Sequence, residues 1–152
     1  MKIVVAADSA GKPLKDVIAA HLAKREDVEV VDLSPPDANA AEFYADTAAR
    51  AAEAIVAGEA DKGFLFCGTG IGVAMAANKV PGVRAAQAHD TYSAERASLS
   101  NDAHIVTMGA RVVGPELGKA IADAFLAARF DPASHSAANI AAVNALDERY
   151  RP

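Results

Sequence analysis

The sequence predicts an α/β domain with a five-stranded parallel sheet covered by helices on both faces. Short apolar runs alternate with segments of helical apolar spacing along the whole chain. The apolar runs lack clean period-two alternation, which suits strands buried on both faces. Glycines and prolines mark several of the boundaries between segments. At 152 residues the chain fits one domain able to bury a substantial core.

Residues 2–7, KIVVAA, read as the first strand, ending at Asp8-Ser9-Ala10-Gly11. After Pro13, the positions Leu14, Val17, Ile18, His21 and Leu22 have helical spacing. Residues 28–33 read as a second strand, and Ser34-Pro35-Pro36-Asp37 breaks the chain because consecutive prolines exclude regular structure. An alanine-rich helix is expected over about residues 40–57, closed by Gly58. Residues 63–67 form the third strand, and a helix after Gly72 stops near Asn78, ahead of Pro81-Gly82. Further strands at 83–88 and 104–108 flank a helix over 91–99. Pro115 opens a helix to about Ala128, and a last helix follows His135.

Composition narrows the function. A net charge of −5 argues against nucleic acid or an anionic membrane as partner, since both need a basic face. No apolar run approaches the roughly 20 residues of a membrane span, and no cleavage-site pattern follows the N-terminal run. The single cysteine forms no internal disulfide and supplies no multi-cysteine zinc site, and a reducing cytoplasm is its natural setting.

That cysteine, Cys67, ends an apolar run directly before Gly68-Thr69-Gly70-Ile71-Gly72. A glycine loop between strand and helix turns backbone N–H groups toward an anion, whether a phosphate or an oxyanion formed during reaction. The same field favours a thiolate. A thiolate there can take a proton from carbon beside a carbonyl while the amides hold the enediolate, and Thr69 can shuttle a proton between oxygens. Two other readings stay open at this point. A lone cysteine ending a buried strand is most often a small core residue. A dinucleotide loop is the other, with Asp90 about 20 residues on as the ribose acid, although the spacing is G-x-G-x-G and the loop follows the third strand.

The stretches CGTGIG, AANKVPGVRAA and GARVVG together resemble the sugar-phosphate isomerase family of B-type ribose-5-phosphate isomerase and the galactose-6-phosphate isomerase subunits. The likeness runs from Lys2 to about Arg149. It implies a Rossmann-like three-layer fold, and a homodimer or tetramer with active sites shared between subunits. The last helix, about residues 135–150, would pack on the partner. It also implies aldose–ketose isomerisation through an enediolate, without metal or cofactor. By resemblance, Cys67 is the base, Thr69 the neighbouring hydroxyl, and Gly68, Gly70, Ile71 and Gly72 the anion hole. Asp8 and Asn101 match substrate-hydroxyl contacts, Tyr44 a neighbour of the substrate, and Arg111 a phosphate contact lent by the partner.

Four departures bear on the substrate. Ser100 stands where the ribose-5-phosphate isomerases carry the histidine that opens the furanose ring. Ser9 replaces a histidine after the first aspartate, and the paired phosphate-binding arginines fall on His135 and Asn139. A serine cannot donate a proton near neutral pH as imidazole can. An aldotetrose 4-phosphate has no ring to open, because its C4 oxygen carries the phosphate. The expected substrate pair is therefore D-erythrose 4-phosphate and D-erythrulose 4-phosphate, with ribose 5-phosphate as runner-up. DSAG and HDTYSAERA also look like the erythritol-pathway branch of the family. A non-catalytic phosphate- or nucleotide-binding module is the alternative from another class. Lys12 reads as a solvated charge that can also meet phosphate, His89 as a rim residue, His21 as a packed histidine and Asp90 as a helix cap.

Overall fold

Five parallel strands lie in the order β2-β1-β3-β5-β4 in the computed structural model, which describes residues 1–36 and 42–150. The strands are β1 (Lys2–Ala7), β2 (Glu29–Asp32), β3 (Lys62–Cys67), β4 (Ala85–Gln87) and β5 (Ile105–Gly109). The helices between and after them are α1 (Lys12–Leu22), α2 (Tyr44–Val56), α3 (Ile71–Ala77), α4 (Thr91–Leu99), α5 (Pro115–Ala127) and α6 (Ala137–Tyr150).

Two apolar layers explain why the strands do not alternate. Ile3, Val5, Phe64 and Phe66 pack with α1, α4 and α5 on one face. Val4, Ala6, Leu65 and Cys67 pack with α2 and α3 on the other. Both faces are covered, so every position along β1 and β3 beyond the first residue is buried. The alanines of α2 let that helix approach closely, with Ala48, Ala51 and Ala52 fully buried. On the opposite face Gly118 of α5 admits Leu14 and Ile18 of α1, whose methyls would lie 3.0 and 3.2 Å from an added Cβ.

The boundaries differ from the expected ones where a turn or a side chain takes the backbone bonds. β4 spans three residues rather than 83–88: Val83 N–H turns back to the Val80 carbonyl (3.2 Å), and Arg84 N–H donates to Nδ1 of His104 (3.2 Å). α2 starts at Tyr44, later than expected, and the expected onset near residue 40 and the break at Asp37 lie outside the described residues. α6 rests on its own chain through buried Ile140 and through Asn144 Oδ1, which accepts from Arg84 Nη1 (2.8 Å).

β1 has β2 on one side and β3 on the other, so successive connections leave it in opposite directions. In open parallel sheets a cleft forms beyond the carboxyl ends at such a switch. Here those ends carry Asp8 and Cys67.

Candidate active site

The loop after β3 is built around the thiol. Cys67 is 6% exposed, and its Sγ accepts the N–H of Gly70 at 3.0 Å. Gly70 makes this turn at φ +77°, a left-handed conformation suited to glycine. An added Cβ there would also lie 2.8 Å from the Met108 carbonyl carbon. Thr69 is exposed, and its Oγ1 accepts Ile71 N–H (3.3 Å), leaving the hydroxyl hydrogen to donate elsewhere. An N–H donated to sulfur makes a stronger bond when the sulfur is charged.

Neighbouring elements converge on the same loop. The Asp8–Gly11 turn packs on β3 so tightly that a Cβ on Gly11 would meet the Phe66 carbonyl carbon at 2.3 Å. Within the turn Asp8 Oδ1 accepts Gly11 N–H (2.8 Å). The Tyr44 ring lies over Gly72, where a Cβ would be 2.8 Å from its Cε2. The guanidinium of Arg111 lies 3.3–3.4 Å from a Cβ placed on Gly68. Arg111 therefore stands over the loop of its own chain, whereas the resemblance implied a phosphate contact lent by a partner. A cleft of about 490 Å³ opens beside Asp8 and Ser9, with Lys12 and Lys15 in its wall. Both ammonium groups already meet carboxylates: Lys12 pairs with Asp16 (2.5 Å), and Lys15 with Asp16 (2.7 Å) and Asp32 (2.5 Å).

Three further side chains support the loop. Thr107, fully buried in β5, donates its hydroxyl to the Gly70 carbonyl (2.8 Å). Gln87 Nε2 donates to the Thr69 carbonyl (2.7 Å). His89 Nε2 accepts Gly109 N–H (3.0 Å), which assigns that nitrogen no proton. The available signal was one hydroxyl inside the otherwise apolar run IVTMG. Asp90 caps α4 instead, accepting from Ser93 N–H (2.7 Å) and Ser93 Oγ (2.6 Å). Those bonds hold its carboxyl below the usual range and account for Asp90 without a ribose.

The remaining expected site residues lie elsewhere. Ser100 and Asn101 follow α4, which descends from the carboxyl ends of the strands to their amino ends. Asn101 shares a depression of about 280 Å³ with Arg84, Ala85, Ile140 and Val143, next to the start of β4. Asn139 lies on α6 beside Ile140, and exposed His135 precedes that helix. At about 3.3 Å per residue, a five-residue strand such as β5 puts the two ends of the sheet roughly 16 Å apart. Within one chain, Ser100 and Asn101 do not meet Cys67.

The sequence pattern of the ribose/galactose isomerase family matches residues 3–143. The chain belongs to this family. A D-erythrulose-4-phosphate isomerase 2 of Mycolicibacterium smegmatis is 45% identical over 141 residues, covering 92% of this chain and 93% of the relative. A D-erythrulose-4-phosphate isomerase of Pectobacterium atrosepticum is 47% identical over 131 residues, covering 86% of each. The solved ribose-5-phosphate isomerase B of Clostridium thermocellum superposes with a TM-score of 0.92 at 39% identity, covering 99% of both chains. The protein is thus an aldose–ketose isomerase of sugar phosphates. Among the described residues, no three His, Cys, Asp or Glu side chains gather to hold a metal ion, and no helix is long and apolar enough to cross a membrane.

Proposed function

We propose that the protein interconverts D-erythrose 4-phosphate and D-erythrulose 4-phosphate with Cys67 as base. The observation that carries the mechanism is the 3.0 Å bond from Gly70 N–H to Sγ, inside a loop faced by Thr69 and Arg111. The thiolate takes the proton from C2 of the aldose, and the electron pair moves toward the carbonyl oxygen to form an enediolate. The loop amides and the Arg111 charge stabilise that oxyanion. The hydroxyl of Thr69 moves a proton between the two oxygens. Return of the proton to C1 completes the ketose.

The surroundings of Ser100 support a short substrate. The nearest histidine in sequence, His104, does not replace a ring-opening group. Its ring is held against Arg84, through a backbone N–H to Nδ1 at 3.2 Å and a guanidinium 3.3 Å from Nε2. Burial, followed by the Arg84 charge, pushes this imidazole below its ordinary value. It is a poor proton donor near neutral pH, which fits a substrate with no ring.

The site is completed by a second copy, which brings Ser100, Asn101, His135 and Asn139 to the Cys67 loop. Half-exposed apolar side chains border that loop, with Tyr44 47%, Ile71 51% and Met75 64% exposed. A second chain seated there removes them from water, and Val143 and Leu146 of α6 (47% and 46% exposed) offer it apolar surface. An unpaired catalytic thiol suits a reducing cytoplasm.

A coupled assay on both substrates tests the reading. Wild type is expected to favour the tetrose phosphate by about tenfold or more in kcat/KM, the scale on which differential binding separates substrates. Cys67→Ala should lose about 10³-fold and stop exchange of the C2 hydrogen with deuterated solvent. A preference for ribose 5-phosphate would overturn the substrate. Equal exchange by the variant would overturn the base.

A further inference from the structure

Asp102 directly follows Asn101 and is the one non-glycine residue with positive φ (+46°) among the described residues. A left-handed aspartate needs a local reason, and Arg84 supplies it. Its Nε donates to the Asp102 carbonyl (2.9 Å) and its Nη2 to Asp102 Oδ2 (2.5 Å). The third guanidinium nitrogen, Nη1, donates to Asn144 Oδ1 on α6 (2.8 Å). The Arg84 backbone closes the other side, its carbonyl accepting His104 N–H (2.9 Å). One side chain, 16% exposed, therefore ties the corner next to Asn101, whose Nδ2 donates to the Arg96 carbonyl (3.2 Å), to the helix that carries Asn139. Lysine cannot reproduce this, because three directed bonds need the planar fork.

We propose that Arg84 is a positioning residue for the isomerisation: it holds the Ser100–Asp102 corner and α6 in the arrangement that one chain presents to the Cys67 loop of another. This rests on the shared-site reading above. Arg84 touches no substrate. It acts through the place of the turn that follows Asn101, and its chain serves the partner's site rather than its own.

Subunit complementation tests both statements. Arg84→Met is expected to lower kcat/KM about tenfold or more, as misplaced contacts do, while alkylation of Cys67 by iodoacetamide keeps its wild-type rate. Arg84→Lys should not restore activity. Arg84→Met mixed with Cys67→Ala, after subunit exchange, should regain about a quarter of wild-type activity, since half of randomly paired two-fold dimers are mixed and each has one intact site. Asn101→Ala mixed with Cys67→Ala is the control. If that control regains nothing, the shared-site reading falls and the role of Arg84 falls with it. If the control regains activity and the Arg84→Met mixture does not, only the Arg84 assignment is wrong. Wild-type kinetics for Arg84→Met alone would also overturn it. Should Arg84→Met fail to fold, Asp102→Ala and Asp102→Gly carry the question. Glycine accepts the left-handed turn, so it should restore activity relative to alanine, and equal activities would sink the proposal.

Discussion

Gly109 shows how little room the Cys67 loop leaves. A Cβ there would lie 2.5 Å from the carbonyl carbon of Thr69 and 2.6 Å from its Cα. Backbone, not a flexible side chain, stands in the way. Gly109→Ala should therefore displace Thr69 and lower kcat about 10²-fold, the cost of roughly an ångström of misplacement. It should also cost about 1–3 kcal/mol as overpacking. Steady-state kinetics and thermal melting read the two effects, and wild-type values in both would refute the argument. Residues of this kind mark the limit of sequence reading. The turn that sets Gly70 N–H against the Cys67 sulfur was legible because it is built from adjacent positions. Asp90 was legible because capping is local. Thr107, Gln87 and Arg84 act through partners 37, 18 and 18 residues away, and nothing near them in the chain names those partners. His21 illustrates the same limit: expected to be merely packed, it meets Asp123 of α5 at 2.9 Å.

Helices and strands were legible wherever apolar spacing decides them. They were not legible where a tertiary bond competes with the ladder, as at Arg84, whose N–H goes to Nδ1 of His104 in what reads as a strand. Lys62 is another tertiary device. It opens β3, yet its Nζ donates to Ser98 Oγ (2.5 Å) and to the carbonyls of Phe125 (3.2 Å) and Ala128 (3.4 Å). A strand residue thus puts positive charge at the end of α5, whose own last turn carries no basic residue. Burial, helped by the charge of Arg129, pushes the Lys62 ammonium down to about 8. An unfolded lysine titrates near 10.4. Between those values the folded chain binds fewer protons than the unfolded one, so stability rises with pH across that window. Below about 8 the cost of the buried charge is present in full. Wild type should therefore gain stability relative to Lys62→Met between pH 8 and 10. Denaturant titrations across that range check it, and a constant difference between the two proteins would contradict it.

At the scale of the molecule, the sequence announced a parallel sheet but not the strand order. Which end of the sheet a residue occupies was also hidden, because a linear list of site residues carries no such label. The fold separates Ser100 and Asn101 from Cys67 by the height of the sheet, and the proposed second copy brings them back together. Specific activity should then fall on dilution, in step with the loss of the dimer seen by analytical ultracentrifugation. Activity per chain that stays constant through complete dissociation would contradict the shared site.

In the proposed shared site, that same separation makes the substrate a mortar. A molecule held between the thiol of one chain and the asparagine of the next binds only the joined pair. Mass action then couples metabolite level to assembly. At a hundred times its dissociation constant, a ligand adds about 2.7 kcal/mol of association free energy per site. Scarce enzyme would stay whole in a cell rich in its sugar phosphate and come apart when the supply fails.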